Sequence, residues 1–373
     1  MDRRRFLKAG LQSAGTLATG AIATRSIATG ALVAGTRSAG ILSAASMAPR
    51  ALGAAAEPSP GVSADDLPAL KGKLTLYLGR GEGGLYENVL RAIQDRNPDL
   101  ELGIRRGPTA ALANAIIAER QAGIQRADLF WAVDAGAIGM VSDAVGPKAL
   151  PQDLVTQLKT GFRYDSWAPV SGRIRTLPFN PERVDATDVP DDVMAFPPPG
   201  RSLGWAPAYA SFQSFVTAMR LLSGDDATAR WLTAVDKSAR RYAGELGVVM
   251  GVERGEVDMG FANHYYTLRL KSGKPDARVS LAFTSGDAGC LVNASGIVAL
   301  GKSDLGQDFI RYLLTREVQS YLSREAFEIP MIDDAPPPPG LEGMGTITPP
   351  SIDLTRLADL RPTLDLMRGV GVL

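Results

Sequence analysis

Two adjacent tyrosines, Tyr265 and Tyr266, follow a short apolar run from Val257 to Phe261 and a polar step at Asn263-His264. The run reads as a buried strand, with a helix beginning at Thr267-Leu268-Arg269. On a continuing strand the two phenols would point to opposite faces. At a strand-to-helix corner both can face one crevice, where ligands of open α/β sheets usually sit. Two phenol oxygens at one point make a poor apolar site. They suit a hard, highly charged cation, which lowers a coordinating group's pKa until it binds as the anion. The alternative is that the pair are ordinary half-buried aromatics.

Few other side chains offer chemistry. Arg173 and Arg175 stand two apart in Ser171-Gly172-Arg173-Ile174-Arg175, so they share one face of an extended segment. A planar guanidinium suits a bidentate oxyanion. His264 is the only histidine, and beside the tyrosines it reads as a turn residue or hydrogen-bond partner before a ligand. Cys290 is the only cysteine, so an intramolecular disulfide is excluded; its apolar surroundings read as burial. The sequence shows no Ser/His/Asp order, zinc spacing or nucleophile elbow, and enzymatic acid–base chemistry is not expected.

The elements that must position these residues alternate. Leu74-Thr75-Leu76-Tyr77-Leu78, the segment 100–104 and Ala127-Asp128-Leu129-Phe130-Trp131-Ala132 read as strands, with helical patterns at 85–93 and 110–122 between them. Alternation of this kind indicates a mostly parallel sheet. The glycine-rich turn 79–84 has neither dinucleotide-fingerprint spacing nor a P-loop lysine. A helical piece near 154–160 precedes an extended crossover, 167–177, out of a first lobe. A loop at 204–212 then opens a helix over 213–222, whose amino terminus offers an anion free N–H groups. Helical pieces at 226–234 and 246–254 lead to the tyrosine strand, and 287–300 reads as a second crossover back. One amphipathic helix is expected over 308–322, a rigid proline linker at 336–339 and a terminal helix over 354–367. A chain that leaves one α/β lobe, builds another and returns has the shape of a ligand trap with two hinges.

The chain of 373 residues is long enough for two domains. Its 40 basic and 40 acidic residues balance overall, but residues 1–56 carry seven basic residues against Asp2 alone. The remainder is mildly acidic and shows no basic stripe, which argues against nucleic-acid binding. Arg3-Arg4-Arg5-Phe6-Leu7-Lys8 reads as a twin-arginine export signal, with a cleavage site after Ala54-Ala55-Ala56. That route exports folded proteins, so a soluble periplasmic product without a lipid anchor is expected.

Six segments together resemble the periplasmic ferric-ion-binding proteins of iron ABC transporters. They are Tyr77-Leu78-Gly79-Arg80, Ala127-Asp128-Leu129-Phe130, Ser171-Gly172-Arg173-Ile174-Arg175, Gly204-Trp205-Ala206-Pro207, Asn263-His264-Tyr265-Tyr266 and Gly286-Asp287-Ala288-Gly289. The resemblance spans roughly 74–373 and implies an α/β, two-lobed type II periplasmic binding protein fold. Each lobe would be a mostly parallel sheet flanked by helices. The first lobe would comprise 72–172 and 295–345, the second 173–294 and 350–373, behind a signal peptide at 1–56. The resemblance further implies Tyr265 and Tyr266 as phenolate ligands to Fe(III), with Tyr209 as a possible third. Arg173, Asn263, Ser211 and Ala210 would hold a synergistic anion, carbonate or phosphate. Family members with a histidine after the first strand and a glutamate after the third have Gly81 and Val133 as counterparts here. First-lobe contacts would then come from Arg80, Glu82, Asp134 or water. Glu245 falls where some relatives have an anion-binding asparagine, and would repel an anion unless turned away. Implied partners are a permease and an ATPase, with the receptor itself a monomer. The alternatives are a receptor for a small organic or phosphorylated anion such as a phosphonate on the same scaffold, and a secreted hydrolase using carboxylates.

Overall fold

The computed structural model describes residues 61–79, 84–341 and 347–373. The export signal expected at 1–56 therefore falls outside the described residues, as do Arg80, Gly81 and Glu82. The first lobe opens with β1 (Gly72–Leu78), α1 (Leu85–Arg96), β2 (Leu100–Arg106), α2 (Thr109–Gln121), β3 (Leu129–Ala132), α3 (Ala135–Val145) and α4 (Gln152–Gln157). Strand β4 (Ala168–Phe179) then leads into the second lobe: β5 (Leu203–Trp205), α5 (Ala210–Ser223), α6 (Asp225–Asp236), β6 (Ala239–Arg241) and α7 (Glu245–Glu253). There follow β7 (Met259–Gly260), β8 (Ala262–Asn263), α8 (His264–Gly273) and β9 (Ser280–Ala282). The return strand β10 (Val292–Ala299) precedes α9 (Leu305–Leu313), α10 (Arg316–Ala326), β11 (Ile329–Pro330) and the terminal α11 (Leu360–Gly369).

In the main sheet path the strands run β2-β1-β3-β10-β4-β7-β5-β6. The pairs β1·β2, β1·β3, β5·β6 and β5·β7 are parallel, as βαβ units require. The two crossovers depart from that pattern. Strand β10 is antiparallel to both β3 and β4, and β4 is antiparallel to β7, β8 and β9. Every residue of β4 is buried, so this hinge strand belongs to the packed interior. Pairing of β4 with β10 slips between Ser295 and Gly296, leaving Val170 as an extra residue beside Pro169. The carbonyl of Val170 is then satisfied by Gln319 Nε2, at 2.7 Å.

Boundaries differ from the sequence expectation in several places, among them the terminal segment, where a 3-10 turn at Leu354–Ala358 precedes α11. Gly204 and Trp205 lie on β5, and α5 starts at Ala210 rather than Gln213. The expected helix at 308–322 is two helices, because Thr315 is extended (φ −67°, ψ 150°) and its hydroxyl donates to the carbonyl of Tyr312. Helix α8 starts at His264, so both tyrosines occupy its first turn. No helix among the described residues is long and apolar enough to cross a membrane.

An aromatic cluster fixes the second lobe. Phe212 and Phe215, one turn apart on α5, pack with Trp231 of α6 against Phe261, which sits between β7 and β8. The ring centroids lie 5.3–6.3 Å apart around Phe261. Pairs of this kind add about 0.5–1.5 kcal/mol each beyond area burial. Beside them β7 presses on β5: a Cβ on Gly260 would fall 2.7 Å from the carbonyl oxygen of Gly204, so only glycine fits. The cluster thus holds the start of α5 and the start of α8 in fixed relation.

Candidate functional site

Tyr209 precedes α5 as its N-cap residue, and Tyr265 and Tyr266 open α8. Because the two helix starts are held together, their phenols meet. Tyr209 Oη and Tyr266 Oη are 2.9 Å apart, and the Tyr265 and Tyr266 rings are tilted with centroids 4.5 Å apart. Burial, then repulsion from Tyr265, then hydrogen bonding with Tyr209 and Tyr265 raise the Tyr266 pKa far above the ordinary phenol value. Without a cation the phenol of Tyr266 therefore stays protonated. A trivalent ion would reverse that balance, since it favours the anionic oxygens. Among the described residues no cluster of three His, Cys, Asp or Glu side chains forms.

Arg269 lies one turn beyond Tyr265 on α8. Its guanidinium carbon sits 4.7 Å from the Tyr265 ring centroid, and its Nη2 donates to the carbonyl of Ala326, at 2.9 Å. His264 is fully buried. Its Nδ1 accepts from the backbone N–H of Ile174, at 3.2 Å, and its Nε2 donates to the carbonyl of Phe327, at 2.7 Å. Phe327 adopts the left-handed conformation (φ 54°) at the end of α10. The ring is thus a tether between α8, the hinge strand β4 and the end of α10. Burial lowers its pKa to about 4, and the neutral form dominates at pH 7.

Below the phenols lies a closed polar network. Arg175 Nη1 donates to Glu245 Oε1 at 2.6 Å, and the backbone N–H of Asn263 donates to Glu245 Oε2 at 2.8 Å. Arg175 Nη2 donates to both the carbonyl and the hydroxyl oxygen of Ser211, at 2.7 and 2.9 Å. Asn263 Nδ2 donates to the same hydroxyl, at 2.8 Å. Arg175 is also stacked 5.2 Å from the Phe215 ring centroid. Both charged side chains are almost completely buried. The sequence concern over Glu245 is thus answered: its carboxylate is turned onto Arg175.

Arg173, on the same face of β4, is placed otherwise. Its guanidinium donates to the carbonyl of Val133, at the end of β3, and pairs with no carboxylate among the described residues. Its register partner across β10 is Asn293, whose Oδ1 is buried without a hydrogen-bond partner. Asp134 spends its carboxylate capping α3, accepting from the N–H of Ala137 at 3.0 Å. Ala210 is the first, exposed residue of α5. The structure therefore brings together Tyr209, Tyr265 and Tyr266, and separately Ser211 and Asn263. Arg173 and Asp134 stand on the first-lobe side, against β3 and at the start of α3.

Sequence reasoning undervalued Arg175 and Arg269. The former was visible as the second arginine of one strand face. The latter lies four residues after Tyr265, a helical spacing that means contact only once α8 is known to begin at His264.

No protein-family model matches the chain. It is 26% identical over 302 residues to the Fe(3+)-binding periplasmic protein of Serratia marcescens, spanning 77% of this chain and 88% of that protein. It is 24% identical over 259 residues to the major ferric iron-binding protein of Neisseria meningitidis serogroup B, spanning 66% and 78% of the two chains. Among solved structures, iron-bound HitA from Pseudomonas aeruginosa superposes with a TM-score of 0.70 at 26% identity, covering 82% of this chain and all of that one. The fold is that of the type II periplasmic binding proteins, and the chain's homologues are named as ferric-iron-binding periplasmic proteins.

Proposed function

We propose that this protein is the substrate-binding component of an iron importer, capturing Fe(III) between its lobes and delivering it to a permease driven by an ATPase. The observation that carries this reading is the convergence of the Tyr209, Tyr265 and Tyr266 phenols at two helix starts. Three phenolates cancel the charge of a ferric ion, and hard anionic oxygens are the donors such an ion prefers. The homology to ferric-iron-binding proteins supports the same ion. An oxyanion, carbonate or phosphate, completes the coordination beside Arg173, whose buried guanidinium has no acidic partner among the described residues. Ala210, Ser211 and Asn263 are the proposed second-lobe residues on the anion's side of the site, and the Asn263 amide donating to the Ser211 hydroxyl supports their grouping. On the first-lobe side Asp134 and the segment carrying Arg80 and Glu82 are the proposed contacts. The protein acts as a monomer in the periplasm, reached through the twin-arginine signal at its amino terminus.

Ferric titration against a competing chelator tests the site. Tyr265→Phe and Tyr266→Phe each keep the ring and remove an oxygen, so iron affinity falls by 100-fold or more on the order expected for a lost charged ligand, and phenolate-to-iron colour fades. Tyr209→Phe produces a smaller loss. Equal binding by wild type and all three variants would rule out the phenolate site. For export, Arg3 and Arg4 changed together to Lys strand the precursor in the cytoplasm; normal periplasmic accumulation would contradict the signal.

A further inference from the structure

Two arginines two residues apart on β4 face the same way but meet different fates: Arg173 pairs with no carboxylate among the described residues, whereas Arg175 is neutralised by Glu245. The corner around Arg175 has the ingredients of an oxyanion site. It holds a buried guanidinium, the backbone N–H of Asn263 at the start of α8, the Asn263 amide and the Ser211 hydroxyl at the start of α5. A side chain of this chain already accepts there. Glu245 is the first residue of α7, is completely buried, and presents one carboxylate oxygen to the guanidinium and the other to the Asn263 N–H.

We infer that Glu245 is a built-in carboxylate that fills the oxyanion corner of the second lobe, so that this corner takes no carbonate or phosphate from solution. The inference deepens the iron-receptor reading of the same cleft and rests on it. Three observations support it. The carboxylate uses both oxygens on donors that would otherwise need an anion. Its ion pair is fully enclosed, and an entering anion would have to displace a covalently tethered group whose effective concentration is far above that of a solute. Finally, a second negative charge beside Glu245 would find the Arg175 guanidinium already neutralised and hydrogen-bonded to Ser211 as well. Glu245 is on this account a specificity-determining residue. It narrows anion capture to Arg173, where only an anion that also touches the metal is held.

The test uses the iron-free, full-length mature protein and inorganic phosphate. Wild type should show no phosphate-dependent rise in melting temperature beyond that given by chloride at equal ionic strength. Glu245→Gln removes the carboxylate charge and leaves the Arg175 guanidinium uncompensated, and phosphate should stabilise this variant, with binding at least about tenfold tighter than to wild type; a ligand that binds only the folded state adds stability that grows with the logarithm of one plus the ratio of free ligand to Kd. Glu245→Ser, which opens more room, is the second variant should Gln fail to fold, and should show the same gain. A folded variant with no gain overturns the inference, and so does tight phosphate binding by iron-free wild type. A separate ferric titration with and without added phosphate tests the iron reading: wild type that takes up no iron in either buffer overturns that reading, while the phosphate arm still decides the role of Glu245.

Discussion

At the scale of single residues, the charges in this protein divide by burial. The Arg175–Glu245 pair is enclosed, whereas pairs such as Lys73–Glu101 stand largely in water. Removing one partner of an enclosed pair leaves an uncompensated charge, costing about 3–5 kcal/mol. Arg175→Met should therefore lower the urea midpoint markedly, while Lys73→Ala should change stability by less than about 1 kcal/mol. Equal effects in the two variants would contradict the enclosure of Arg175. The tyrosine pair was legible from the sequence, because adjacent phenols after a buried strand are conspicuous. Glu245 was legible only as a worry, since its partner Arg175 is 70 residues away along the chain and no local pattern joins them. Tyr209 as a neighbour of Tyr266 was likewise open until the aromatic cluster showed why α5 and α8 begin side by side.

Among the elements, α8 matters most, because its first turn carries both tyrosines and the tethering histidine. The sequence placed its start three residues late. Histidine and tyrosine are indifferent helix formers, so propensity gave no signal there, although Asn263 is a favoured N-cap type. The tether has a pH signature. His264 titrates near 6.5 when unfolded and at about 4 when folded. Its contribution is fully present above pH 6.5 and is lost as pH falls toward 4, by roughly 3 kcal/mol in all. Iron-free protein should thus lose urea stability between pH 6.5 and 4. His264→Gln should be less stable at pH 7.5 yet show a shallower acid decline; an unchanged decline would assign the acid sensitivity elsewhere. At the proposed phenolate site, iron release by acid would have a different origin, the return of protons to the phenols.

For the whole molecule, alternation of strands and helices was enough to foresee two lobes and two crossovers, but not that the crossovers are buried antiparallel strands. Hinge closure is a common response of such traps. Small-angle scattering should show a smaller radius of gyration with ferric ion present, and an unchanged profile at saturating iron would count against closure on binding. The path of β4 has a consequence for folding. This one strand contributes to the pairing of both lobes, with β10 and β11 on one stretch and β7, β8 and β9 on the other. Neither lobe can lose its share of β4 without stripping an interior strand from the other. The iron-free protein should accordingly melt in one cooperative transition, with calorimetric and van't Hoff enthalpies that agree. Either half expressed alone should fail to hold a native structure, its sheet ending on a raw edge open to aggregation.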